Sequence, residues 1–228
     1  MINHLIWAAG LLAHLLLVIV LLVRRRATRF PWFTLLIVFY LLRSVALAAT
    51  VRFSGHPVHQ FANTIVDLTD VLLQCAVLTE LTLIALRPLG AIRRFTLPLL
   101  LLASGILIVM RLAPHHHLSL RSSLAISHFL LAVLMVEWGI VLAFLIGPLR
   151  LSFRSHVAVI SFGFAIYSAG LLAGGGYFTT GREMSDYVFF SFFRVCIYLV
   201  IVIFWSIMLW LAEPAGQTQS PAQQVGRK

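Results

Sequence analysis

Apolar positions along this chain do not alternate with period 2, nor do they form a narrow stripe with period 3.6. They fall in seven nearly continuous runs, approximately Leu5–Val23, Pro31–Thr50, Asn63–Leu86, Phe95–Leu112, Leu124–Ile146, Val157–Tyr177 and Tyr187–Leu211. A helix rising 1.5 Å per residue crosses a hydrocarbon layer of about 30 Å with roughly 20 residues, and each run is near that length. The pattern predicts an all-α polytopic membrane protein, a bundle of seven transmembrane helices over residues 1–212. The fourth run is the weakest, with Pro98 in its first turn and Arg111 at its end. From Glu213 to Lys228 the composition turns to Gln, Pro, Gly and Ser, which predicts a disordered cytoplasmic tail. No internal repeat is visible.

Composition agrees with the runs. Of 228 residues 61% are hydrophobic and 11% charged, with a mean hydropathy of +1.01. A soluble domain carries about 25% charged residues. The net charge of +10 would suit nucleic acid, but the basic residues lie in short connections between apolar runs rather than on one face, so nucleic acid is excluded as a partner and lipid is the expected surroundings. Arg24, Arg25 and Arg26 follow the first run instead of preceding it, the reverse of a cleaved signal peptide. They hold the first connection in the cytoplasm and leave the N-terminus outside. On that assignment the inside segments carry eleven basic residues and the outside ones four, Arg52, Arg111, Arg121 and Arg182. Trp7, Trp32, Tyr177, Tyr187 and Trp210 fall near the expected interfaces. Cys75 and Cys196, in separate runs, give no disulfide framework and no metal spacing.

Candidate chemistry resides in charges that the runs contain. Asp67, Asp70, Glu80, Glu137, Arg43 and Arg194 all lie within apolar stretches. Each costs roughly 2.5–3.5 kcal/mol at a span centre, so these residues are expected to face the bundle interior and pair. Depth groups them: Arg43 lies ~13 Å and Arg194 ~10 Å below the outer surface by helix rise, level with Asp67 and Asp70. Asp67, Asp70 and Gln74 share one helix face by their i, i+3, i+7 spacing. An outer polar cluster of Arg43, Asp67, Asp70, Gln74, His128 and Arg194 follows, serving either as a helix lock or as a ligand or ion site. Glu80 and Glu137 have no basic partner at their depth and are candidates for proton-linked behaviour. Of nine histidines, His56 and His59 fall in one outer connection and His115, His116 and His117 in another, a possible metal site balanced against solvated loop filler. The small residues of the sixth run and the Phe and Trp residues of the seventh read as packing surfaces.

Several seven-span families are excluded on residues. A retinal protein requires a lysine in its last span, and the only lysine is Lys228. The Asp-Arg-Tyr of G-protein-coupled receptors is replaced by Leu86-Arg87-Pro88, the last run has no His-x-x-x-His of ceramidase-like hydrolases, and no rhomboid-type serine motif stands out. The run Arg24-Arg25-Arg26-Ala27-Thr28-Arg29-Phe30-Pro31-Trp32-Phe33 does resemble the first loop of a family of small bacterial seven-span proteins. Leu149-Arg150-Leu151-Ser152-Phe153-Arg154, the later Ser161-Phe162-Gly163-Phe164 and Glu80 are similar as well. The resemblance implies the topology and a bacterial inner (plasma) membrane; it implies no activity and no cofactor. Three function classes remain: a small-ligand, metal or proton binding and sensing module acting with a membrane protein partner, a proton-coupled transporter, and an intramembrane enzyme. The enzyme class is the weakest, since no nucleophile–base set is present.

Overall fold

A computed structural model describes residues 2–50, 57–87, 98–107, 120–148, 151–178 and 184–212, with side chains over most of that range. Seven helices are present among the described residues and no strand: α1 (Ile2–Val23), α2 (Pro31–Thr50), α3 (Pro57–Ala85), α4 (Pro98–Leu107), α5 (Leu120–Leu145), α6 (His156–Phe178) and α7 (Met184–Trp210). Stretches in α3, α5, α6 and α7 are long and apolar enough to cross a bilayer, at Asn63–Ala85, Ile126–Leu145, His156–Ala173 and Phe192–Trp210. The described parts of α1, α2 and α4 are shorter apolar helices. The chain is therefore a helical, multi-pass membrane protein.

Helix contacts close a ring in the order α1–α2–α3–α5–α6–α7, with α3 also touching α6 across it. α4 packs on the outside of α5, where Gly105 lets Leu130 and Leu134 close in. Sequence neighbours run antiparallel. The Trp7 indole at the start of α1 donates to the Ser44 carbonyl late in α2, and Trp138 late in α5 donates to Ser161 early in α6. α1 and α7 instead finish at the same end, where the Arg24 guanidinium lies 4.3 Å from the centre of the Trp210 ring.

Local sequence explains the helix boundaries at this end. α1 stops in a Schellman turn: Arg26 N–H donates to Leu21 C=O and Arg25 N–H to Leu22 C=O. Arg25 occupies the left-handed position at φ 52°, where glycine is the usual occupant. α6 starts at Ser155, whose hydroxyl accepts from the Ala158 amide in a standard N-cap.

The dry core fills the half of the bundle nearer the α1–α2 turn. Leu17, Leu21, Phe33, Trp138, Leu142 and Trp205 are fully buried there. Gly163 makes the densest contact possible, because the Trp205 indole lies against the space that its Cβ would occupy while donating to the Val159 carbonyl. Gly139 receives Ala165 in the same way. Large apolar side chains point outward on every helix, among them Leu12, Leu42, Leu72, Leu100, Phe144, Ile166 and Val200. Lipid, not water, solvates such a surface. Hydroxyls along the helices bond their own turns, as Thr34 does to Phe30 C=O, Thr69 to Ile65 C=O and Ser206 to Val202 C=O, leaving no unmet hydrogen in those apolar surroundings.

Candidate functional site

Above the dry core, α2 and α3 carry a connected polar cluster. Arg43 spans two carboxylates, with Nη2 3.2 Å from Asp67 Oδ1 and Nη1 3.4 Å from Asp70 Oδ2. The two acids differ in setting: the Asp67 side chain is 41% exposed and that of Asp70 9%. Asp70 Oδ1 accepts from the Tyr40 hydroxyl at 2.8 Å and from Gln74 Nε2 at 2.9 Å. Gln74 Nε2 also reaches the Tyr40 oxygen at 3.2 Å. The helical period places Tyr40 and Arg43 on one face of α2, and Asp67, Asp70 and Gln74 on the facing side of α3.

Tyr40 also belongs to an aromatic group that draws in α1, α6 and α7. Its ring lies 6.2 Å from both His14 and Tyr198, edge-on to each, and Tyr198 lies 5.2 Å from Tyr167. His14 is buried. Its Nδ1 lies 2.6 Å from the Gly10 carbonyl, which can only accept, so Nδ1 carries the hydrogen. Nε2 lies 2.7 Å from the Tyr198 hydroxyl. A neutral His14 receives the Tyr198 hydrogen; a protonated one donates to the Tyr198 oxygen.

Of the six residues expected to cluster, the structure brings together Arg43, Asp67, Asp70 and Gln74. His128, half-buried on α5, makes no hydrogen bond to them. Arg194 is exposed on α7 and forms no salt bridge to Asp67 or Asp70. Tyr40, Tyr198 and His14 were the residues missing from the sequence reading. His14 and Tyr198 lie on separate helices far apart in sequence, and a tyrosine inside an apolar run carries no signature of a partner. His56, His115, His116 and His117, together with the His59 side chain, lie outside the described residues. Among the described residues no group of three His, Cys, Asp or Glu side chains is placed to hold a metal ion. Cys75 and Cys196 are free.

The two glutamates have partners that charge alone did not reveal. Glu80 reaches across to the start of α2, Oε1 accepting from the Trp32 amide at 3.2 Å and Oε2 from the Phe33 amide at 3.1 Å. Pro31 opens that helix and Phe30 precedes it, so no local side chain can cap it. The counter-group of Glu80 is thus the positive end of a helix rather than a basic side chain. Glu137 Oε2 lies 3.1 Å from the Ser104 hydroxyl on α4, which is also 2.9 Å from Leu101 C=O. One hydroxyl hydrogen faces two acceptors there, an arrangement fully satisfied when Glu137 carries a proton.

Comparisons of the chain with known protein families, with curated proteins and with solved structures find no match.

Proposed function

We propose that the chain is a bacterial inner-membrane bundle of seven spans, its N-terminus outside and its C-terminus cytoplasmic. It acts as a binding and sensing module for a proton or a small cationic ligand and passes the signal to a membrane protein partner. The spans are supported by the common end of α1 and α7, which an odd number of crossings requires, and by the arginines of the first turn, which favour the cytoplasm.

One observation carries the function. A single guanidinium serves two carboxylates, so the cluster holds one negative charge more than its contacts neutralise. In low dielectric such an excess is relieved by taking up a proton or a small cation. The exposed Asp67 offers the entry and the buried Asp70 the connection, through Tyr40, to the His14–Tyr198 pair. Binding at Asp67 and Asp70 redistributes hydrogens among Gln74, Tyr40 and Asp70, and the Tyr40 ring presses on α1 and α7. That route gives the partner a change in helix packing to read.

Infrared difference spectroscopy of the full chain on addition of methylammonium at constant pH tests the reading. The carboxylate bands should shift on binding, lose that shift in Asp67→Asn or Asp70→Asn, and keep it in Glu137→Gln. A spectrum identical in all four proteins removes the cluster from cation binding. The Glu137–Ser104 geometry favours a second reading, a proton-coupled transporter; counterflow in proteoliposomes abolished by Glu137→Gln would replace sensing with transport.

A further inference from the structure

An open groove of about 580 Å³ lies on the outer face of the bundle between the start of α2 and the second half of α3. Its lining is mixed: Thr28 and Arg29 of the α1–α2 turn are polar, whereas Ala76, Leu83 and Ile84 of α3 make an apolar strip, and Trp32 lines the groove as well. Because Glu80 meets the Trp32 and Phe33 amides, the strip starts level with the turn at Ile84 and runs to Ala76, two turns deeper. Trp32 is 47% exposed, and the Arg29 guanidinium lies over the Phe30 ring at 5.4 Å, which holds it at the polar part of the lining.

We infer that this groove binds one acidic phospholipid, its phosphate against Arg29 and an acyl chain along Ala76, Leu83 and Ile84. The turn joins two apolar helices of a membrane protein, so it sits at headgroup level. Four arginines in residues 24–29 give that level a positive field, and basic clusters beside a span attract anionic lipid. Glu80 also lines the groove, but both of its oxygens are committed to the Trp32 and Phe33 amides, where the positive end of α2 offsets its charge. The Thr28 hydroxyl donates to Arg25 C=O and that of Thr79 to Cys75 C=O. Arg29 is the cationic side chain of the lining, and its charge selects the headgroup. An amphiphile with one negative head and a flexible apolar tail matches both parts of the lining; a soluble anion matches only one.

Trp32 reports occupancy directly. The full chain is reconstituted in phosphatidylcholine vesicles containing a minority of brominated phosphatidylglycerol or, in parallel, brominated phosphatidylcholine. The Trp32 signal is isolated by subtracting the Trp32→Phe protein, since the chain has five tryptophans. Phosphatidylglycerol should bind about fivefold better than phosphatidylcholine, the factor that one arginine near a membrane surface supplies. Arg29→Gln should abolish that preference, and Ala76→Phe, which fills the groove without altering charge, should abolish quenching by both lipids. Arg154→Gln, an exposed arginine at the same end, should leave both unchanged. Equal quenching by the two lipids overturns the inference. So does an equal loss in Arg29→Gln and Arg154→Gln, which would mean diffuse attraction, or absence of quenching because a second copy or another protein covers the groove. Unchanged quenching in Ala76→Phe overturns it independently of charge.

Discussion

The two halves of the bundle handle buried polar groups in opposite ways. Near the α1–α2 turn three buried groups hold partners that are not shared among them: Glu80 takes two amides with two oxygens, Trp138 takes Ser161, and Trp205 takes Val159 C=O. Around Asp70 the groups share: one carboxylate oxygen accepts twice, and one guanidinium divides between two acids. Settled partners surrounded by apolar packing make a rigid half. Shared partners and surplus negative charge make a half whose hydrogen bonding changes when a proton or cation arrives. The difference separates the setting of Glu80 from that of Asp67 and Asp70, although all three are acids inside apolar runs, and it is the basis of the binding role proposed for the latter two.

That contrast sets an order of effects on unfolding, measured for the full chain in mild detergent mixed with denaturing detergent. Trp205→Ala, which empties the space against Gly163, should cost most, about 3–5 kcal/mol. Asp70→Asn should cost on the order of 2 kcal/mol, because it removes the more buried of the two carboxylates of Arg43, leaving only Asp67, and weakens the acceptor for Tyr40 and Gln74. Glu80→Gln leaves one α2 amide facing an NH2 group and should cost about 1.5 kcal/mol; a smaller loss than for Asp67→Asn would deny the capping role. Asp67→Asn, half exposed, should cost under about 1 kcal/mol. Arg25→Gly should stabilise by about 0.5 kcal/mol, since the left-handed backbone suits glycine, and a loss there would show that the side chain matters more than the turn.

The helices were legible because lipid leaves so few ways to satisfy a backbone, so long apolar runs must be helices; the rule that charges within them face inward holds for Asp70 and Glu80 but not for Arg194, which is exposed. The Asp67–Asp70–Gln74 face followed from helical period, and Arg43 from its depth. Depth alone could not place Arg194 or His128, since residues at one level can still lie on opposite sides of a ring. Charge alone does not give the partner of Glu80, which is a pair of backbone amides. The signal was present in Phe30-Pro31, a helix start with no capping side chain, whose amides had to find an acceptor elsewhere. The His14–Tyr198 contact depends on α1 packing beside α7, the closure of the ring, which no local pattern encodes.

The most direct test removes the surplus charge without stranding a partner. Arg43→Met, Asp67→Leu and Asp70→Asn together remove the charges while an amide oxygen still accepts from Tyr40 and Gln74, an exchange of ionic for neutral groups that often leaves stability unchanged or raises it. Uptake of methylammonium by the full chain, read by calorimetry at constant pH, should fall well below that of the unaltered protein while the triple variant unfolds at a similar denaturant concentration. Uptake undiminished in a folded triple variant would contradict the account and leave the cluster a lock between α2 and α3.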